Sequence, residues 1–416
     1  MESGKHSMQY NLKELPNGIR IVHQEITHTR LVHAGFVLNI GSRDESLDQE
    51  GLAHFWEHMA FKGTKKRKAY HIINRLETLG GELNAYTTKE KICFYSSILK
   101  EHFSKAAELL CDITFNSTFP QKQIEKERQV ILEEMSMYRD SPDDAIQDEF
   151  DELVFQNHAL GRNILGNEAT VGSFQQQDFI GFIDSRIDTS QIVFSVVGNI
   201  PFQKVLKQVE GFLTDIPTKT SSYKRQGFNL YEPQQKVVER EITQAHCAIG
   251  KPAYSMYDSR RFKLYLLNNI LGGPSMNSRL NLALREKHGY VYSVESHYQT
   301  YSDTGFVGIY FGTEQKTANK AKKLVLKEME KLRTIKMGTL QLHMAKEQAV
   351  GQLAMAEENY AALMLVFGKN LLDKGKIDSL DTIFGIIKST TAEEIMEIAN
   401  EIFDPKQLSY LTYLPA

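Results

Sequence analysis

Two histidines and a glutamate lie close together in the segment GLAHFWEHMAFKGT, residues 51–64. His54 and His58 are four positions apart, so on a helix their side chains project from one face, one turn apart. This spacing allows both imidazoles to bind a single Zn²⁺ ion at roughly 2.0–2.1 Å each. Glu57 lies three residues after His54, beside the same face, where it can reach a water molecule without being a ligand. The segment therefore predicts a helix that carries two zinc ligands and a base. The alternative interpretation is a surface helix with two histidines near Glu57.

A catalytic zinc site usually takes three protein ligands and keeps one position for water. The segment IEKERQVILEEM, residues 124–135, is rich in carboxylates and has a helical pattern. Glu127 and Glu134 are seven positions apart, two helical turns, and therefore share a face. Spacing does not choose among the four candidates for the third ligand, which are Glu125, Glu127, Glu133 and Glu134. A charged, solvent-facing helix is the alternative interpretation of this segment.

The elements that must position these motifs alternate between strands and helices. Apolar alternation and β-branched residues predict strands at 18–22, 32–40, 191–197, 236–242, 290–297 and 305–311, and two more within 84–99. Helical periodicity and helix-end signals predict helices at 49–61, 70–79, 101–114, 120–138, 202–213 and 260–271, with another that runs into Lys287.

The chain divides into two similar halves around a segment without periodicity. Residues 214–233, TDIPTKTSSYKRQGFNLYEP, have the Thr, Ser, Lys and Pro content that is typical of a linker. IDTSQIVFSVVGN around Ile192 and FDPKQLSYLTYLP around Leu408 are similar, and each is a polar turn that leads into a strand. We therefore predict two α+β domains of similar build, at 1–214 and 235–416, joined by a linker at 215–234.

Composition limits the classes of partner. The chain has 416 residues, of which 41% are hydrophobic, and a net charge of −3 without a long basic block. Its three cysteines are too few and too scattered for a disulfide framework. No apolar run approaches the roughly 20 residues that span a bilayer. We predict a cytoplasmic protein that binds neither nucleic acid nor membrane.

Three motifs carry a resemblance to a known family. In this order and spacing, GLAHFWEHMAFKGT, LGGELNAYTTKEK and IEKERQVILEEM resemble the motifs of the pitrilysin-type (M16) metallopeptidases, which are inverzincins with the order His-x-x-Glu-His. The resemblance covers nearly the whole chain. It implies the LuxS/MPP-like metallohydrolase fold, an α+β fold with two homologous domains, each a mostly antiparallel sheet packed with helices. Trp56 departs from the Leu that relatives commonly carry, and it either fills core space or shapes a substrate pocket.

The resemblance also selects the metal ligands. The third ligand of the family lies 76 positions after the second histidine, which is Glu134 here. Glu127 matches a family carboxylate that orients a ligand. One Zn²⁺ per chain is implied, bound by His54, His58 and Glu134, with Glu57 as the general base.

Substrate-binding residues follow from the same resemblance. Asn84 and Ala85 match an edge strand that pairs with an extended peptide, a mode that reads backbone groups rather than side chains. Arg285 and Tyr292, in REKHGYVYS, match a pair that binds the substrate backbone and donates to the developing oxyanion.

The predicted function is that of a zinc-dependent endopeptidase acting on small or unfolded peptides. Peptide substrates are the expected partners, and we predict a homodimer in which Arg285 and Tyr292 of one protomer complete the site of the other. Two alternatives stay open: a non-catalytic structural or core subunit on the same fold, and a peptidase dedicated to one precursor.

Overall fold

The computed structural model describes residues 10–416, which form eleven strands and fourteen α-helices. The strands of the first sheet are β1 Asn11–Glu14, β2 Arg20–Glu25, β3 Leu31–Leu38, β4 Glu82–Thr87, β5 Ile92–Leu99 and β6 Ile192–Gly198. Those of the second sheet are β7 Gln235–Arg240, β8 Ala245–Ala253, β9 Val291–Thr300, β10 Gly305–Thr313 and β11 Ser409–Pro415.

The helices lie before, between and after these strands. They are α1 Leu52–Ala60, α2 Ala69–Glu77, α3 Phe103–Phe115, α4 Gln121–Asp140, α5 Pro142–Val154, α6 Glu168–Ser173, α7 Gln176–Arg186, α8 Phe202–Leu213, α9 Arg261–Gly272, α10 Ala318–Thr334, α11 Thr339–Glu357, α12 Tyr360–Lys374, α13 Leu380–Ser389 and α14 Ala392–Ile402. Residues Asn281–Glu286 form a π-helical segment.

The first sheet is buried on both faces because alternate side chains of its central strands face different helices. Its strand order is β1-β2-β6-β3-β5-β4, and β2 and β6 are its one parallel pair. Phe36 of β3 contacts Phe115 of α3, with ring centroids 5.3 Å apart. The next residue, Val37, points to the other face and packs in a cluster with Phe367 of α12. Burial on both faces explains why β3 is an almost continuous apolar run.

The second sheet repeats the topology of five strands of the first, β2 to β6. Its order is β7-β11-β8-β10-β9, and the pair β7 and β11 is parallel, as β2 and β6 are. A 3₁₀ turn precedes both β6 and β11, and each turn is capped by an aspartate: Asp188 accepts from the backbone N–H of Ser190, and Asp404 from that of Lys406. The predicted α+β class with two similar sheet-and-helix domains is confirmed, and the faint sequence repeat lies at corresponding positions of the two sheets.

The two compact units are discontinuous along the chain. One consists of residues 10–135, 162–226 and 355–378, and the other of 136–161, 227–354 and 379–416. Helix α12 therefore belongs to the first unit, where it packs on β3 and β6. Helix α5 belongs to the second, where it packs on β8.

The beginning of helix α1 and strand β8 are two places where the structure differs from the predicted elements. Helix α1 begins at Leu52 rather than at residue 49, because Gly51 adopts φ +93°, a left-handed conformation that ends the preceding turn. Strand β8 was not predicted, since AHCAIGKPA contains Gly and Pro and has little β-branched content. Its place between β10 and β11 supplies hydrogen-bonding partners on both sides and so overrides that weak propensity.

The segment before β7 has no helix or strand from residue 214 to 234, but one of its side chains is anchored in the first unit. The Arg225 guanidinium donates to both carboxylate oxygens of Asp44 at 2.8 Å and to the backbone carbonyl of Glu90 at 2.9 Å. Bidentate salt bridges between arginine and a carboxylate are geometrically specific. The predicted linker is therefore fixed at this point.

All three cysteines, Cys93, Cys111 and Cys247, are free and buried, as the prediction of no disulfide framework requires. Within residues 10–416, no helix combines the length and the low polarity that crossing a bilayer requires. The cytoplasmic location stays a prediction.

Candidate metal centre

Three predicted ligands converge in the first unit. The Nε2 atoms of His54 and His58 lie 3.9 and 3.6 Å from Oε2 of Glu134, and the two imidazole centroids are 4.6 Å apart. One potential ligand atom from each residue falls within 4.8 Å of the other two. Across residues 10–416, no other group of three or more His, Cys, Asp or Glu side chains is arranged in this way.

Helices α1 and α4 supply the cluster. Helix α1 places the two imidazoles one turn apart, and α4 presents Glu134 to them. The opposite side of α1 is fixed in the core, where Trp56 is fully buried and its ring lies 6.2 Å from Phe94 and 6.5 Å from Phe182. Of the two interpretations of Trp56, core filling is therefore the one that the structure supports.

These side chains fit a zinc ion. Two atoms bound to a tetrahedral zinc at roughly 2.0–2.1 Å lie about 3.4 Å apart, close to the 3.6 and 3.9 Å observed. Two imidazoles and one carboxylate are a donor set of catalytic zinc sites. Burial, together with the nearby His58 ring, lowers the pKa of His54 to about 3, so its ring is neutral and can offer a lone pair.

A buried carboxylate holds the beginning of helix α1. Glu45, which is 4% exposed, accepts hydrogen bonds from the backbone N–H groups of Gly51 at 3.0 Å and Ala53 at 2.7 Å. These are N–H groups of the first turn, which have no acceptor within the helix. Burial raises the pKa of Glu45 well above its ordinary value. Sequence reasoning missed Glu45, because it lies six residues before its first partner, outside the spacing of a capping box.

Glu127 contacts one of the proposed ligands directly. Its Oε1 accepts a hydrogen bond from Nδ1 of His58 at 2.9 Å, and its Oε2 accepts one from Nζ of Lys62 at 2.7 Å. Burial alone would raise the pKa of Glu127, but hydrogen bonds from His58 and Lys62 lower it overall. Lys62 was not among the predicted site residues, although it lies in the His54 motif.

Glu57 lies beside the cluster without belonging to it. Its Oε2 accepts a hydrogen bond of 2.6 Å from the hydroxyl of Thr87, the last residue of β4. Burial raises the pKa of Glu57. Thr87 was missed, because no sequence pattern links the end of a strand to a helix thirty residues before it.

Asn84 and Ala85 lie in β4, at one edge of the first sheet. β4 pairs with β5 alone, so Asn84 is opposite Tyr95 and Ala85 is opposite Phe94. The other edge of β4 has no strand partner among residues 10–416. Side chains alternate along a strand, so Ala85 shares the face of Thr87, whose hydroxyl contacts α1.

Arg285 and Tyr292 lie next to each other in the second unit. Arg285 belongs to the π-helical segment, and Tyr292 is the second residue of the edge strand β9. The guanidinium carbon lies 5.6 Å from the Tyr292 ring centroid, and the tyrosine is 86% exposed. The fold thus brings the two side chains together, and Tyr292 is exposed on the surface of its unit.

Comparisons with known proteins identify the family. Residues 20–168 match the model described as insulinase (peptidase family M16), and residues 173–349 match the model of the peptidase M16 inactive domain. The chain is 35% identical over 396 residues to the uncharacterized zinc protease YmxG of Bacillus subtilis (strain 168), covering 93% of this chain and 94% of that protein. It is 34% identical over 398 residues to an uncharacterized zinc protease of Rickettsia felis, covering 95% of each.

Solved structures show the same fold at lower sequence identity. A structure of a peptidase M16 inactive domain from Pseudomonas fluorescens has a TM-score of 0.91 at 16% identity and covers 98% of both chains. A protease from Helicobacter pylori has a TM-score of 0.90 at 20% identity and covers 98% of this chain and 99% of that one. With both family models matched in order and relatives above 30% identity aligned along nearly the full length, the chain belongs to peptidase family M16.

Proposed function

We propose that this protein is a zinc-dependent endopeptidase in which His54, His58 and Glu134 hold one Zn²⁺ per chain. The observation that carries the proposal is the convergence of these three side chains to within 4.8 Å, with the Glu57 carboxylate beside them on α1. Three protein ligands leave one coordination position for the reaction, as catalytic zinc sites do. The zinc protease names of the relatives support the same assignment.

The proposed chemistry divides between the metal and the carboxylate. Zinc, when bound, supplies Lewis acidity, which polarises a carbonyl group and makes water more acidic. Glu57 accepts a proton from the attacking water and later donates it to the leaving amine. Glu127 orients His58 through its Nδ1 hydrogen bond and so fixes which ring nitrogen faces the cluster.

Substrate recognition is proposed to use the open edge of β4. An extended peptide can add to this edge through backbone hydrogen bonds at Asn84 and Ala85, which tolerates many side chains. A folded protein does not offer such a strand, so small or unfolded peptides are the expected substrates. Arg285 is proposed to bind the peptide backbone and Tyr292 to donate to the developing oxyanion.

We also propose a homodimer in which Arg285 and Tyr292 of one protomer complete the site of the other. The exposure of Tyr292 supports this role, since its hydroxyl is available to a molecule outside its unit. A closed two-fold dimer would form two equivalent sites.

The test is cleavage of a mixed peptide library by the zinc-loaded protein, compared with Glu57→Gln. We expect the wild type to cleave and Glu57→Gln to lose roughly 10²–10⁴-fold in rate, because a positioned general base contributes about that much. Zinc content should stay the same in both. Glu77→Gln, an exposed glutamate of α2, serves as the matched control and should cleave at the wild-type rate.

Three results would contradict parts of this proposal. Full activity in Glu57→Gln would remove Glu57 from the role of base. A wild-type protein that holds one zinc per chain and cleaves nothing would instead support the non-catalytic subunit. Cleavage confined to one peptide of the library would support a peptidase dedicated to a single precursor.

A further inference from the structure

The Glu57 carboxylate is held from strand β4. The Thr87 hydroxyl donates to Oε2 of Glu57 at 2.6 Å, and both side chains are partly buried. Among residues 10–416, Thr87 is the one group that hydrogen-bonds this carboxylate. The Oε1 atom of Glu57 has no hydrogen-bond partner in that part of the chain.

The two oxygens of Glu57 therefore have different surroundings. A hydroxyl donor on Oε2 restrains the rotation of the carboxylate, because hydrogen bonds to charged groups are the stronger ones. Oε1 stays free to accept a proton from water. One face of β4 carries both Ala85 and Thr87, so the strand that presents an open edge also supports the base.

We infer that Thr87 is a positioning residue that fixes the orientation of Glu57 from the substrate-binding strand. This inference rests on the proposed function. It adds that the strand whose open edge is proposed to bind the peptide also holds the carboxylate of the base.

Substitution can separate the hydroxyl from the shape of the side chain. Thr87→Val keeps the β-branched outline that suits a strand but has no donor. Thr87→Ser keeps the donor and loses only a methyl group. Thr300→Val makes the same chemical change at the end of β9, an edge strand of the second sheet, and is the matched control.

The first measurement is steady-state cleavage of a quenched fluorogenic peptide by the zinc-loaded full-length variants. We expect Thr87→Val to lower kcat roughly tenfold to a hundredfold with KM within about twofold, since the lost hydrogen bond acts on the chemical step. Thr87→Ser should recover most of kcat, and Thr300→Val should match the wild type. Zinc content and peptide affinity, measured in the Glu57→Gln background, should not change with Thr87→Val.

The second measurement does not depend on activity. Crystal structures of the zinc-loaded wild type and Thr87→Val should show the Glu57 carboxylate turned away from its wild-type position in the variant. An unmoved carboxylate, an unchanged kcat, or a loss of zinc from Thr87→Val would each overturn the inference. A wild type that cleaves no peptide would refute the proposed function, while the comparison of carboxylate positions would still decide the role of Thr87.

Discussion

At the residue scale, the two histidines of the cluster differ in what fixes their second nitrogen. Nδ1 of His58 donates to Glu127, whereas Nδ1 of His54 is buried without a hydrogen-bond partner among the described residues. Glu127 in turn is held by Lys62 at 2.7 Å. The orientation of the His58 ring thus depends on Glu127, which is itself held by Lys62.

Glu127 is therefore the residue whose substitution should change the orientation of a histidine ligand. We expect Glu127→Gln to weaken zinc binding by roughly 10–100-fold, because a neutral amide is a poorer acceptor for the imidazole N–H. Competition with a fluorescent zinc chelator measures the change. Glu133→Gln, an exposed neighbour on α4, should bind zinc as the wild type does. Equal zinc affinity in Glu127→Gln and the wild type would show that the contact does not orient the ligand.

Sequence spacing predicts only part of this site. The separation of His54 and His58 suffices to predict a shared metal, because both lie on one short helix. Glu134 could be selected from its neighbours only by family resemblance, since helical spacing treats Glu127 and Glu134 alike. Thr87 and Lys62 reach the site through tertiary contacts, and neither has a local signature.

At the element scale, helix α1 depends on a buried carboxylate before its first turn. We expect Glu45→Ala to lower the free energy of unfolding by about 1–3 kcal/mol, because it leaves the buried N–H groups of Gly51 and Ala53 without an acceptor. Urea denaturation followed by circular dichroism measures the loss.

Glu101→Ala provides the comparison for Glu45. This glutamate lies in the exposed turn before α3, and its removal should change stability by less than about 0.5 kcal/mol. If Glu45→Ala were as stable as Glu101→Ala, the hydrogen bonds to α1 would be too weak to hold the helix.

Elements were predicted best where the pattern is local. The strands β3 and β6 and the helices α3 and α8 were predicted within a few residues, because each has a strong apolar period. Strand β8 was missed, since its small residues and Pro252 gain strand pairing only from their neighbours. Periodicity also does not indicate which sheet a helix packs on. The assignment of α12 to the first unit and of α5 to the second therefore required the structure.

At the scale of the whole molecule, the two sheets share one strand order over five strands. The residues proposed for catalysis, however, lie in different parts of the two units. The cluster of His54, His58 and Glu134 lies in the first unit, and the Arg285–Tyr292 pair lies in the second. The edge strands β4 and β9 occupy corresponding positions in the two sheets. The residues that the proposal uses are thus divided between the two units.

The proposed dimer can be tested by complementation. A mixture of His54→Ala and Arg285→Ala protomers, exchanged in equal amounts, should recover roughly a quarter of the wild-type activity, because half of the dimers contain one intact site. Peptide cleavage by the mixture measures the recovery. A mixture of His54→Ala with Glu57→Gln should stay inactive, since both changes damage the same part of the site. No recovery in the first mixture would contradict completion of the site by the partner.

The position of the metal tests the central claim most directly. Crystals grown with one equivalent of zinc, measured on both sides of the zinc absorption edge, locate the ion without reference to activity. We expect one anomalous peak per chain, at roughly 2.0–2.2 Å from Nε2 of His54, Nε2 of His58 and a carboxylate oxygen of Glu134, with one position not filled by protein. A peak elsewhere, a Glu134 side chain far from both rings, or a fourth protein ligand would contradict the proposed hydrolytic centre.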